Sequence, residues 1–297
     1  MLKGSDTIIF ACDAPDEHRI ATDEPAQTPI CYVVNGNEVA PLIRFGPSGL
    51  KLLQQPLSSP QAPDVLLSVQ LGRPGEPPRS AYLLKQAPPE GGEVMGLRAA
   101  GPLLDPRDAA LAARGAAVLN WHLKARFCQT CGGKTEPSLS GLSRLCVNTD
   151  CKSEHFPRVD TVVITLPVDG RWCLLGRQSR FPEGLYSGFA GFVEPGETLE
   201  QASRRETREE AGVTLSSTLY RFSQPWPFPH GLATGFRGQV RDRSAARPDN
   251  VEISDVKWFG KNEIAAMLDR SNQSGKLRMP GPISLAHQLA REWLSET

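Results

Sequence analysis

The sequence predicts an α+β chain in three consecutive parts: a small N-terminal α+β domain (1–118), a cysteine-bearing segment (119–157) and a larger C-terminal domain (158–297). Three observations carry that expectation. Four of the seven cysteines fall in one short stretch, strand-like runs alternate with two helical ones after it, and Pro/Gly-rich breaks separate short apolar runs before it. A chain of 297 residues can hold such domains and bury a substantial core.

Charge removes some classes of function. Lys+Arg and Asp+Glu both number 33, so no basic excess steers the chain onto nucleic acid and no acidic excess onto cationic partners. Hydrophobic residues make 39% and charged ones 22%, which fits a folded globule rather than a disordered chain. Apolar runs such as 8–12 and 30–34 are too short for a bilayer, so no membrane partner is expected. Met1-Leu2-Lys3-Gly4-Ser5-Asp6 lacks an apolar signal core, and Ser295-Glu296-Thr297 does not match the simple peroxisomal ending. The expectation is an intracellular, cytoplasmic chain, with a peroxisome or another organelle left open.

In the first part, runs at 7–10, 30–34, 65–71 and 81–84 read as strands, and the Pro/Gly stretches 73–78 and 88–92 as loops. A helix should start at Asp105, a good N-cap, with Pro106 where its missing N–H costs nothing. It should reach about Lys124 despite Gly115; residues 1–104 announce no job of their own. In the third part, runs at 161–166, 172–175, 232–240 and 251–259 read as strands. A helix over 198–211 should stop at Gly212. A last helix over about 283–294 carries Ile283, Ala286, Leu289, Ala290 and Trp293 on one face.

The clustered cysteines read Cys128-x2-Cys131-x14-Cys146-x4-Cys151, while Cys12, Cys31 and Cys173 lie alone. An odd total without a signal peptide is a poor disulfide framework. Two cysteine hooks, the first followed by Gly132-Gly133 for a tight turn, suit one tetrahedral Zn2+ per chain. Four thiolates close the site to water, so its role is structural. Zinc ribbons also bind nucleic acid, but this segment has no marked basic and aromatic surplus.

The helical run Arg205-Glu206-Thr207-Arg208-Glu209-Glu210-Ala211-Gly212 places Glu206 and Glu210 one turn apart, with Glu209 beside them. Clustered like charges repel, and a hard divalent cation such as Mg2+ or Mn2+ relieves them while also taking phosphate oxygens. On composition alone, a Glu-rich helix is as readily a solvated face. The longer pattern, Gly191-x5-Glu197-x7-Arg205-Glu206-x2-Glu209-Glu210-x-Gly212-Val213, resembles the Nudix box. That resemblance implies an α/β/α sandwich that hydrolyses nucleoside diphosphates linked to another moiety. It assigns the divalent metals and the catalytic work to Glu206, Glu209 and Glu210, and a structural pairing to Arg205 and Glu197. Thr207 departs, standing where an aliphatic residue is usual.

Ser223-Gln224-Pro225-Trp226-Pro227-Phe228-Pro229 is similar to the array that marks NADH pyrophosphatases of the NudC type. Three prolines stiffen the backbone and hold Trp226 and Phe228 ready to stack on flat rings. The four-cysteine segment before the box, with Leu119-Asn120-Trp121-His122 leading into it, is a third mark of that family. The resemblance implies further roles. The Ala190 carbonyl and Glu252 would help hold two to three Mg2+ or Mn2+ ions. Phe156, Phe192, Gln224, Pro225, Trp226, Pro227, Phe228, Pro229, His230, Gly231 and Ala286 would line the substrate. Phe156 stands where Tyr is usual and Gly231 where Ser is usual, which bears on substrate preference. The implied activity is hydrolysis of NADH or NAD+ to NMNH or NMN plus AMP by a homodimer, with NAD-capped RNA as a further substrate. Two alternatives stay open: a Nudix hydrolase of ADP-ribose or dinucleoside polyphosphates, and a non-catalytic module that binds nicotinamide nucleotides.

Overall fold

The computed structural model describes residues 30–35, 38–46, 49–52, 65–71, 80–84, 93–138, 141–269 and 277–296. The expected strand at 7–10, the loops at 73–78 and 88–92, and Cys12 lie outside the described residues. The described residues divide into two units, one of residues 30–159 with 225–230, the other of residues 160–224 and 231–296.

In the first unit, β1 (Ile30–Asn35), β2 (Glu38–Gly46), β3 (Gly49–Leu52), β4 (Val65–Gln70) and β5 (Ser80–Leu84) form a sheet in the order β3-β2-β1-β5-β4. The short β6 (Glu93–Val94) adds to β2, and β1 runs parallel to β5. A single turn of helix, α1 (Leu97–Ala100), precedes α2 (Pro106–Lys124). The α2 start is the expected one: Asp105 Oδ1 accepts from the Arg107 and Asp108 N–H groups at 3.0 Å, with Pro106 at the first position. Gly115 sits mid-helix because Tyr32 presses there. A Cβ at 115 would lie 2.2 Å from the Tyr32 hydroxyl, which donates to the Leu111 carbonyl at 3.1 Å.

Helix α2 runs without a linker across residue 118 towards a three-stranded ribbon, β7 (Thr135–Pro137), β8 (Arg144–Cys146) and β9 (Glu154–His155). A buried network bolts the two together. His122 bonds the Gly141 carbonyl through Nε2 at 2.6 Å, and Arg144 reaches His122 Nδ1 at 2.9 Å and the Thr135 hydroxyl at 2.8 Å. Burial and the Arg144 charge lower the His122 pKa, so the ring stays neutral with its proton on Nε2 towards the carbonyl.

The second unit holds β10 (Asp160–Asp169), β11 (Trp172–Gln178), β12 (Phe189–Phe192), α3 (Leu199–Ala211), β13 (Leu215–Trp226, its last two residues belonging to the first unit), β14 (Gly231–Val240), β15 (Ile253–Gly260), α4 (Lys261–Leu268) and α5 (Leu285–Ser295). Its sheet runs β13-β14-β10-β11-β15, with β12 antiparallel to β10 and β14 parallel to it. Strand alternation sets the layers. Cys173 and Leu175 pack with Ile264 and Met267 of α4 and Leu289, Ala290 and Trp293 of α5. Leu174, between them, points the other way and packs with Ala211 of α3 and Val213. The result is the expected α/β/α sandwich. The proline array differs from a plain loop: Ser223 to Trp226 complete β13. Strand β13 is an edge of the sheet, where a residue without an N–H breaks no ladder. No helix among the described residues is long and apolar enough to cross a membrane.

Candidate functional site

Helix α3 carries the acidic side chains, and its ends are fixed locally. The Thr198 hydroxyl accepts from the Gln201 N–H at 3.2 Å and the Gln201 side chain accepts from the Thr198 N–H at 2.8 Å, a reciprocal cap. Gly212 ends the helix at φ 70°, a left-handed conformation glycine takes without strain. Ala202, Thr207 and Ala211 are buried against the sheet. Thr207 fits an apolar slot because its hydroxyl donates to the Ser203 carbonyl at 2.7 Å and is therefore satisfied.

Glu210 is buried. Its Oε2 accepts from the Ala190 N–H at 3.1 Å, while Oε1 has no hydrogen-bond partner. Burial, then the Glu206 charge, with smaller contributions from Glu252 and Asp249, push its carboxyl up to about 8 against the Ala190 bond. Burial also raises Glu206, opposed by Arg205. Glu206 lies directly over Gly191: a Cβ there would sit 1.9 Å from Glu206 Oε1. Gly191 is held in β12 opposite Val163, so the missing side chain makes the space this carboxylate fills.

Arg205 organises the rest. It grips Glu197 through Nε and a terminal nitrogen at 2.7 and 2.8 Å, reaches Glu206 at 2.7 Å and Glu209 at 3.1 Å, and donates to the Phe192 carbonyl at 2.9 Å. That fork holds the Glu197 carboxyl down at about 2, and the three carboxylates raise the arginine further. The sequence led us to expect only the Arg205–Glu197 pairing; the arginine also spans the two acidic residues beside it. Glu209 is half exposed and Glu252 exposed. Asp249, which sequence reasoning passed over, accepts from the N–H groups of Val251, Glu252 and Ile253, and these bonds outweigh its partial desolvation and lower its pKa.

The donor set fits hard divalent cations: carboxylate oxygens on one helix face, one of them buried and unpartnered. The cysteine set fits zinc. The Sγ atoms of Cys128, Cys131, Cys146 and Cys151 lie within 4.8 Å of one another, the one such gathering of metal-capable groups among the described residues. Cys128–Cys151 and Cys131–Cys146 are 3.7 and 3.5 Å apart, and Zn–S bonds of about 2.3 Å in a tetrahedron place sulfurs about 3.8 Å apart. Gly132, at φ 74°, makes the first hook's turn. Against the effect of burial, the Cys131 and Thr130 N–H groups and the His155 ring hold Cys128 down at about 5, whereas burial and adjacent sulfurs push Cys146 up to about 12. A cation that takes all four as thiolates removes that mismatch.

The expected substrate residues are distributed as follows. Trp226 and Phe228 meet edge to face, with ring centroids 5.0 Å apart, and Arg98 lies over both, 3.9 Å from the Phe228 centroid and 5.2 Å from that of Trp226. Sequence reasoning missed Arg98; nothing local to α1 signals it. Pro227, Pro229 and His230 complete the turn into β14, which begins at Gly231 opposite Asp160. Gln224 is buried and donates to the Ile283 carbonyl at 2.9 Å. Phe156 and Phe192 are exposed rings. Ala286 is buried, and its N–H donates to the Ser284 hydroxyl at 3.3 Å.

Three family models match this chain in sequence order: an NADH pyrophosphatase-like rudimentary NUDIX domain over 32–121, an NADH pyrophosphatase zinc ribbon domain over 123–156, and a NUDIX domain over 156–278. The chain belongs to the Nudix superfamily. Within it, the zinc ribbon and the rudimentary domain place the chain in the NADH pyrophosphatase branch. The NAD-capped RNA hydrolase NUDT12 of Homo sapiens is 39% identical over 199 residues, which is 64% of this chain and 43% of that protein. The NAD-capped RNA hydrolase NudC of Mycobacterium bovis is 39% identical over 206 residues, 68% of this chain and 65% of that protein. The chain thus spans under half of the human relative and about two thirds of the mycobacterial one. The four-cysteine ribbon and its matching model together support a structural zinc in this Nudix chain.

Proposed function

We propose that this chain hydrolyses the diphosphate of NADH or NAD+ to NMNH or NMN plus AMP, and that it also removes NAD caps from RNA. The observation that supports it most is the packing of Glu206 and Glu210 against β12, one over Gly191 and the other on the Ala190 N–H, with Arg205 restraining the neighbouring carboxylates. Glu206, Glu209, Glu210 and Glu252, with the Ala190 carbonyl, would hold Mg2+ or Mn2+. Bound there, such ions polarise a diphosphate and acidify water. Arg205 limits the motion of Glu206 and Glu209 among them, and preorganised charge of this kind needs no rearrangement during reaction. Trp226 and Phe228 offer ring faces to the nicotinamide or adenine. The substrate class rests on the relatives' names and on the proline array. We further infer a homodimer located inside the cell, the dimer being checked by light scattering.

The test is chromatography of products from NADH, NAD+, ADP-ribose, dinucleoside polyphosphates and NAD-capped RNA, each with Mg2+ or Mn2+, for wild type and Glu210→Gln. NMN or NMNH plus AMP from the wild type alone supports the reading. Preferential turnover of ADP-ribose or a dinucleoside polyphosphate sinks the substrate assignment. Binding without products from any substrate points to a non-catalytic module.

A further inference from the structure

Glu252 sits on a loop, one residue before β15, and among the described residues no side-chain hydrogen bond aims its exposed carboxylate. The backbone beneath it is nonetheless tightly fixed. Asp249 Oδ1 accepts from the Ile253 N–H at 2.8 Å, the Val251 N–H at 3.1 Å and the Glu252 N–H at 3.2 Å, and Oδ2 accepts from the Glu252 N–H at 3.2 Å. Asn250 takes a left-handed φ of 60°, and its N–H closes the turn on the Ile253 carbonyl at 3.0 Å. Ile253 then anchors the far end, buried beside Phe189 and Leu174 and paired with Gln178 of β11. A loop residue pinned on both sides keeps its Cα–Cβ direction, so the turn substitutes for a side-chain partner in aiming Glu252.

We propose that Asp249 is a positioning residue that sets the Glu252 carboxylate towards the Glu206–Glu210 pair by holding three successive backbone N–H groups. The proposal rests on the reading of Glu252 as a metal-holding carboxylate. The Asp249 oxygens are engaged by backbone donors, so beyond the small push of its charge on Glu210 it acts through Glu252. Removing a group that orients a ligand typically lowers metal affinity about 10- to 100-fold. The role depends on hydrogen-bond acceptance more than on charge: an amide oxygen keeps two lone pairs in the place of Oδ1, and the one N–H that Oδ2 accepts, that of Glu252, also reaches Oδ1.

The experiment measures Mn2+ alone binding to the full nucleotide-free chain, by electron paramagnetic resonance of the free ion, with circular dichroism and Tm alongside. Asp249→Ala should raise the Mn2+ Kd about 10-fold and Asp249→Asn no more than about threefold. Glu252→Gln should weaken binding by itself, and adding Asp249→Ala to it should change the Kd less than about twofold, since a residue acting through Glu252 has nothing left to position. Three results overturn the proposal: wild-type affinity in Asp249→Ala, full additivity in the double variant, or Asp249→Asn as weak as Asp249→Ala. Should the alanine variant not fold, Asp249→Asn against Asp249→Ser, which keeps a shorter acceptor, decides the same question. Unchanged binding in Glu252→Gln instead removes the Glu252 assignment, which is a separate failure from that of Asp249.

Discussion

Replacing Gly191 with alanine should separate activity from stability. Gly191 lies in β12 with ordinary strand pairing to Val163, so alanine fits the backbone without strain. The added Cβ would meet Glu206 Oε1 at 1.9 Å, its Cδ at 2.0 Å and Oε2 at 2.3 Å. Ordinary van der Waals contact is about 3.5 Å, so the carboxylate must retreat by roughly 1.2–1.6 Å. It is the far end of a flexible side chain, tethered by Arg205, and an off-rotamer placement costs about 0.5–1.5 kcal/mol. The fold should survive with a Tm lowered by only a few degrees. Function should not, since a displacement of about 1 Å at a reacting centre costs about 10²-fold. The assay is kcat on NADH with saturating Mn2+, with Mn2+ Kd and Tm measured on the same preparations. A kcat within about threefold of wild type, with Glu206 displaced in a structure of the variant, would refute the reasoning that this carboxylate's place matters.

Cys128→Ser should lose stoichiometric zinc and with it several degrees or more of Tm, because a structural zinc contributes folding free energy directly; a zinc-free wild type would overturn the ribbon reading. Trp226→Ala should raise KM for NADH more than it lowers kcat, since a stacking ring supplies binding shared by ground and transition states; an effect confined to kcat would assign the ring a packing role. The metal-free protein should lose stability as pH rises towards about 8, because the folded state holds Glu210 protonated up to about 8 while the unfolded chain releases that proton near 4.5. Stability contributed below 4.5 therefore drains away through that window, and Mg2+ or the Glu210→Gln change should flatten the fall; identical pH profiles with and without either would contradict it.

What the sequence made legible was local in the chain. Glu206 and Glu210 share a face because helical periodicity alone places them, and the Thr198 cap and Gly212 stop mark α3 to within a residue. Cysteine hooks are likewise local, so their spacing implied the cluster now seen within 4.8 Å. The ribbon strands escaped notice because two or three residues are too few to show alternation. Strand β12, Phe-Ala-Gly-Phe, carries no period either, yet it makes both the Ala190 and Gly191 contacts. Strand β13 was hidden by Pro225 near its end and the prolines that follow it, and an edge tolerates a residue without an N–H. Asp249 had a readable signal, an Asp-Asn pair before the acidic residue, typical of a side chain that caps its own turn. Gly115 had none: its reason is Tyr32, far away in sequence.

The same chain builds two metal-suited sites by opposite means, and the difference follows from the donors. The cysteines are drawn together by the ribbon backbone, with knuckle N–H groups lowering Cys128, and they leave no ligand position for anything but sulfur. The α3 carboxylates are kept from full neutralisation: Arg205 satisfies Glu197 and only part of Glu206 and Glu209, while Glu210 retains an unpartnered buried oxygen. A purely structural acidic cluster would gain by pairing every oxygen, since a buried unsatisfied acceptor costs about 1–3 kcal/mol. The unpartnered Glu210 Oε1 leaves a lone pair for a cation, and hard oxygen donors would leave that cation positions for phosphate. The ribbon zinc is thus part of the fold, whereas metals on the carboxylates, as proposed, would bind a fold already made.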